Sequence, residues 1–149
     1  GTGRAEPRRR ARSRARAGAV TDDRRRWLVL VSVALSALIV TVEPSGCLLI
    51  YPQPEWAPVY EKLNALSGAQ AGIKRLIIGH AEDVEMDSAG RLLISPRLRA
   101  VAKLDKEVAL VGMGNKFELW DAAEWDRRTA ATMAISLEDL AQQMDGIAL

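Results

Sequence analysis

The residues best suited to chemistry in this chain lie in one short stretch, Asp87-Ser88-Ala89-Gly90-Arg91, followed closely by Pro96, Arg97 and Arg99. An Asp at the head of a turn can accept a hydrogen bond from a backbone N–H two residues on. Gly at the fourth position admits the left-handed conformation that completes a type I turn with a bulge. Arg91 then starts the next strand at a fixed angle, with Arg97 and Arg99 near it as a local positive cluster. A guanidinium fork matches a phosphate, or the O6/N7 edge of guanine, with two hydrogen bonds. The chemistry on offer is nucleic-acid recognition. As bare sequence the stretch also reads as an ordinary hairpin turn with a solvated Asp87–Arg91 pair, a contact worth under about 1 kcal/mol.

Other chemistries find no footing. His80 has no second ligand or nucleophile at useful spacing and reads as structural. Cys47 is the single cysteine, so no intrachain disulfide can form, and one Cys with one His cannot build a zinc cluster. Cys47 reads as a small core or edge residue of a strand. The sequence contains no phosphate loop, dinucleotide fingerprint, metal-ligand pair or triad of nucleophile, base and orienting group. No enzyme, cofactor, metal or small-molecule substrate is therefore expected. Trp56, Trp120 and Trp125 fall where helices meet strands and read as core, not as a stacking platform for bases.

Charge divides the chain sharply. Residues 1–26 hold ten arginines against three acids, a balance of +7, whereas the other 123 residues carry −5, for the overall +2. By net charge the folded part is no nucleic-acid binder, so any basic patch on it must be local. The Arg/Ala-rich residues 1–26 cannot bury enough apolar surface to order themselves. Residues 27–42, "WLVLVSVALSALIVTV", have no charge. A basic stretch before an apolar run is the pattern of a membrane anchor. The run is short of the roughly 20 residues of a spanning helix, and its Val and Ile suit a buried strand.

The elements that must position the Asp87 turn follow from periodicity. Two apolar runs around Pro44-Ser45-Gly46 make a hairpin. Trp56, Val59, Tyr60, Leu63 and Leu66 recur at helical spacing up to Gly68, and Ile73–His80 ends a helical connection. Val84 and Met86 alternate with acids before the turn, and Leu92 and Ile94 alternate after it. Ser95-Pro96 opens a short helix that turns Leu98, Val101 and Ala102 inward and Arg97, Arg99 and Lys103 outward. Residues 106–120 form a second strand–turn–strand around Gly112 and Gly114-Asn115. Asp121 and Glu124 resemble a capping box, and Leu137, Leu140, Ala141 and Met144 share one face of a closing helix.

The two hairpins are copies of each other. At a constant offset of 69, Val42 falls on Val111, Leu48 on Phe117, Ile50 on Leu119, Tyr51 on Trp120, Glu55 on Glu124 and Trp56 on Trp125. One supersecondary unit is used twice, and neither copy can bury its apolar face alone. The Asp87 turn has no counterpart upstream: Gly18, Thr21, Asp22, Trp27 and Leu30 stand where Asp87, Gly90, Arg91, Pro96 and Arg99 would require a match. Because the repeat claims residues 40–42, a membrane role for residues 27–42 is not favoured.

The stretches "CLLIYPQPEW", "RLIIGHAEDVEMDSAGRLLISPRLR" and "KEVALVGMGNKFELWD" resemble the MraZ family of bacterial transcriptional regulators of the division and cell-wall gene cluster. The resemblance is firm over residues 40–128 and looser beyond. It implies an α+β, mainly β fold: tandem SpoVT-AbrB-like modules interleaved as a swapped-hairpin β-barrel with flanking short helices. On this reading residues 40–68 are the remnant of an incomplete first module, 69–80 a connecting helix, 81–125 the second module and 126–149 a C-terminal helical segment. Residues 1–39 do not match, and they look like an out-of-frame reading of a GC-rich gene. The resemblance further implies a ring-shaped homo-oligomer, in the cytoplasm and on the nucleoid, that presents an Asp-x-x-x-Arg motif to promoter repeats in double-stranded DNA. Carried over, the DNA contacts are Arg91, Arg97 and Arg99, and Asp87, Gly90 and Pro96 shape the turn and the helix start. Two alternatives remain open: an assembly-competent module without specific DNA binding, and a membrane-anchored interaction protein using residues 27–42.

Overall fold

The computed structural model describes residues 37–147. They form one five-stranded antiparallel sheet in the order β3-β1-β2-β5-β4, with helices packed on it. The strands are β1 (Leu38–Glu43), β2 (Cys47–Pro52), β3 (Glu82–Val84), β4 (Val108–Gly112) and β5 (Phe117–Asp121). The helices are α1 (Gln53–Asn64), α2 (Ala71–Gly79), α3 (Pro96–Val101), α4 (Ala122–Met133) and α5 (Leu137–Gln143), with a short 3-10 turn at Gly68–Gln70 before α2. Among the described residues no helix is long and apolar enough to cross a membrane. Residues 27–36 of the apolar run lie outside the described residues. Leu38–Val42, at its other end, belong to β1, hydrogen-bonded to β2 on one side and β3 on the other.

The internal repeat has a geometric counterpart. At the centre of the sheet β2 pairs with β5 as Leu48↔Leu119, Leu49↔Glu118 and Ile50↔Phe117. Exchanging the two copies at an offset of 69 maps this ladder onto itself, so a pseudo-two-fold axis passes between Leu49 and Glu118. The aromatic pairs obey the same exchange: Tyr51 lies 5.5 Å from Trp56, and Trp120 lies 6.1 Å from Trp125, centroid to centroid. Each hairpin is followed by its helix, α1 or α4.

The offset is not constant, however. In the first hairpin Glu43 faces Cys47, with three residues between them, while in the second Gly112 faces Phe117, with four. The longer turn slips β4 by one residue, so Val42 corresponds in space to Gly112 and not to Val111. Since side chains alternate faces along a strand, one residue decides which core each side chain joins.

Both faces of the sheet are covered. On one, Leu38, Val40, Val42, Leu48, Ile50 and Leu119 pack with Val84, Leu98 and Ala102. On the other, Ile39, Cys47, Leu49, Tyr51, Trp56 and Trp120 pack with Leu63, Ile77 and Trp125. Buried on both faces, β1 and β2 need continuous apolar runs, which explains the membrane-like composition around residue 40. Trp56 and Trp120 are core, as expected from their spacing, and Trp125 is half-buried beside them. His80 makes a hydrogen bond from Nδ1 to the Leu76 carbonyl at 2.7 Å, and Cys47 is buried.

Several expectations need correction. Residues 92–94 are not a strand, and β3 stops at Val84. No described strand lies beside 92–94, so the alternation of Leu92 and Ile94 serves packing against the first core and not a ladder. Val101 is exposed although Leu98 and Ala102 are buried, because the six-residue α3 turns only a narrow face inward. Leu137 is exposed on α5, a helix with no buried residue.

Candidate nucleic-acid interface

The turn at Asp87 is built by its own side chains. The Asp87 backbone N–H donates to the Arg91 carbonyl at 3.0 Å, and the Gly90 N–H donates to the Asp87 carbonyl at 2.9 Å. Gly90 has φ +78°, the left-handed conformation that this closure requires. Asp87 Oδ1 accepts the N–H groups of Ala89 at 3.0 Å and Arg91 at 2.8 Å. Its other oxygen, Oδ2, accepts Arg91 Nε at 2.7 Å. The Arg91 backbone N–H, then its guanidinium, hold the Asp87 carboxyl below its ordinary range.

This arrangement fixes Arg91 by its inner nitrogen. Nε is occupied, both terminal Nη groups lack a partner among the described residues, and the side chain is 80% exposed. The result is a planar donor pair at the tip of a closed turn, with its stem held by a carboxylate. Sequence reasoning assigned Asp87 mainly to the turn and allowed a solvated pair with Arg91; that the pair forms at Nε depends on the bulge geometry, which no residue pattern reports.

The other two arginines are not equivalent to it. Arg97 Nη2 lies 3.2 Å from Glu82 Oε1 and 3.4 Å from the Gly79 carbonyl, its Nε 3.3 Å from the same Glu82 oxygen. Ser95 Oγ also donates to Glu82 Oε1, at 3.0 Å. Arg97 is thereby tied to the end of α2 and the start of β3, and Glu82 is the residue that sequence reading missed. Arg99 is exposed on α3, and its guanidinium has no partner among the described residues. Pro96 occupies the first turn of α3, where Ser95 Oγ accepts the Leu98 N–H at 3.2 Å. Leu98, fully buried, nails α3 to the sheet and so sets where Arg97 and Arg99 emerge.

A second carboxylate–arginine group lies on α4. Asp121 caps the helix by accepting the Glu124 N–H at 3.2 Å, while Glu124 binds Arg127 and Arg128 at 2.7 Å each. The Arg127 hydrogen bond, then that of Arg128, lower the Glu124 pKa to about 2. Arg128 also stacks over Trp120 and donates to the Ser45 carbonyl. This group ties the first hairpin's turn to α4 and leaves its arginines engaged.

The chain is similar over most of its length to known proteins. A family model described as "MraZ protein, putative antitoxin-like" matches residues 77–147. A protein of Chromobacterium violaceum named "Transcriptional regulator MraZ" is 51% identical over 123 residues, covering 80% of this chain and 83% of that protein. Proteins of the same name from Nitrosospira multiformis and Nitrosomonas europaea are 48% and 50% identical, covering 80% and 75% of this chain and 83% and 78% of theirs.

Proposed function

The chain belongs to the MraZ family, and on that premise we propose that it is a transcriptional regulator, a repressor that binds promoter repeats of the division and cell-wall gene cluster through the Asp87–Arg91 turn. The observation that carries the reading is the capture of Arg91 Nε by Asp87, which leaves an exposed pair of Nη donors at a fixed orientation. Two such donors match guanine O6 and N7 in the major groove, the pairing most used for sequence readout. Arg99 supplies a phosphate contact, and Arg97 acts through its tie to Glu82, positioning α3 and sharing its charge with the backbone of DNA.

One turn binds weakly. A ring of subunits displaying it around a circumference engages consecutive repeats and gains avidity without new contacts. The interleaved strand order supports tandem swapped hairpins closing into a barrel as the subunit fold. Occupancy of the promoter would exclude RNA polymerase sterically, in the cytoplasm and on the nucleoid. The alternative, a module that assembles without reading sequence, draws on the lack of an upstream Asp-x-x-Gly-Arg turn in residues 1–39.

Salt titration separates the roles. Arg99→Ala should weaken binding to all DNAs alike and flatten the dependence of log affinity on log salt by about one unit. Arg91→Ala should cost about ten- to a hundredfold on the promoter repeats only. Identical effects of the two substitutions on every DNA would overturn the assignment.

A further inference from the structure

Among the described residues the left-handed backbone positions are Gly46, Gly68, Gly90, Gly114, Gly146 and a single non-glycine, Lys103, at φ +51°. Lys103 ends α3. The Leu104 N–H donates to the Arg99 carbonyl at 2.9 Å, and the Lys103 N–H donates to the Ala100 carbonyl at 3.2 Å. This double closure is the Schellman ending of a helix, whose left-handed residue is usually glycine because a Cβ there crowds the backbone. Leu104 completes it by packing against the first core. The fold therefore requires a left-handed residue at position 103, and glycine would meet that requirement with less strain.

Nothing in the fold compensates for the lysine. Its side chain is exposed, and no ion pair or hydrogen bond reaches its ammonium group among the described residues. The dipole of α3 favours a cation at its end only weakly, since the helix has six residues. Residues 1–36, outside the described range, carry ten arginines against three acids, so they are a poor source of a counter-charge. A residue held in an unfavourable conformation without structural benefit points to function. Its place is set by the same bonds: Lys103 follows Arg99 by about one helical turn, ~6 Å along the axis, on the same flank. The Arg99 guanidinium likewise has no partner among the described residues.

We propose that Lys103 is a further phosphate contact, a cation kept at a glycine position because it meets the backbone of DNA beside Arg99. The inference rests on the DNA-binding reading of α3 and adds to it a residue outside the Asp87 turn. Arg91 reads bases, whereas Arg99 and Lys103 form a short cationic line against one phosphate strand. An ammonium on a flexible stem suits that role, because a point charge needs no fixed fork geometry.

The experiment uses the full chain and two substitutions that differ in their effect on the fold and agree in their effect on binding. Lys103→Gly removes the charge and the strain together. It should raise the melting temperature by about 2–5 °C and weaken binding to intact and scrambled repeats alike, roughly fivefold at about 0.15 M salt. Lys103→Gln removes only the charge and should show the same loss of affinity with no gain in melting temperature. Both should flatten the dependence of log affinity on log salt by about one unit, and Lys103→Arg should bind as wild type does. A Lys103→Gly chain that binds DNA as wild type does, or that is no more stable than wild type, would overturn the proposal. Arg91→Ala in the same titration separates the two levels. Loss of repeat preference in Arg91→Ala beside wild-type binding in both Lys103 variants removes the lysine contact alone, and no change in any of the three removes the DNA reading with it.

Discussion

Replacing Gly90 by Ala isolates the conformational demand of the Asp87 turn. A Cβ built on Gly90 meets nothing within 4 Å, so the substitution introduces no clash with other residues. What remains is the φ of +78°, where an L-residue costs about 1–2 kcal/mol. The gain from restricting the unfolded chain, about 0.4–1 kcal/mol, offsets part of this. The expected net loss is about 1 kcal/mol, or roughly 3–7 °C in melting temperature for a domain of this size. Gly90→Asn should lose less, since Asn tolerates the left-handed region. Thermal unfolding followed by circular dichroism, with the titration of the Asp87 carboxyl followed by NMR, reads both levels. In Gly90→Ala the Asp87 pKa should rise toward its ordinary value as the Arg91 hydrogen bonds loosen. Equal melting temperatures for wild type and Gly90→Ala, or an Asp87 titration that does not move, would refute the claim that this backbone conformation holds the arginine.

Leu98→Ala should cost about 2–5 kcal/mol, because the side chain is fully buried, whereas Leu93→Ala, at a residue 85% exposed, should stay within about 0.5 kcal/mol; chemical denaturation compares them. Glu124 titrates at about 2 in the native chain, below its ordinary 4.5, so its contacts stabilise the fold above pH 4.5 and are lost as pH falls toward 2. Glu124→Gln should accordingly flatten the acid limb of the stability–pH curve between those values. Burial, with Glu118 and Glu43 nearby, pushes the Cys47 thiol up to about 12, so iodoacetamide at pH 8 should label it only after unfolding.

Much of the fold was legible because apolar periodicity and punctuation agreed. Pro44-Ser45-Gly46 and Gly114-Asn115 gave both hairpins, Ser95-Pro96 gave the start of α3, and the aromatic pairs gave the repeat. The failures have physical causes. A one-residue difference in turn length shifts the β4 register while leaving β2, β5 and both helices aligned, so a sequence comparison anchored on the aromatics misplaces Val111. Leu92 and Ile94 alternate like a strand because they pack on a core, and alternation alone does not supply a neighbouring strand. The arginine cluster was legible as composition but not as wiring. Glu82, thirteen residues before Ser95 and fifteen before Arg97, captures both in space. Among the described residues of this cluster, Arg97 is tied to Glu82 while the terminal nitrogens of Arg91 and the guanidinium of Arg99 have no partner, and the difference arises from how α3 lies against β3.

The measurement that tests the central claim most directly is the ratio of affinities of the full chain for promoter DNA with intact and with scrambled repeats, at about 0.15 M salt. Ten arginines in residues 1–26 are expected to raise affinity for any DNA through phosphate contacts, so the ratio matters and the affinity does not. A ratio well above one that collapses to one in Arg91→Ala is the result expected if the Asp87-held guanidinium reads sequence. Equal binding to both DNAs, unchanged by Arg91→Ala, would contradict it.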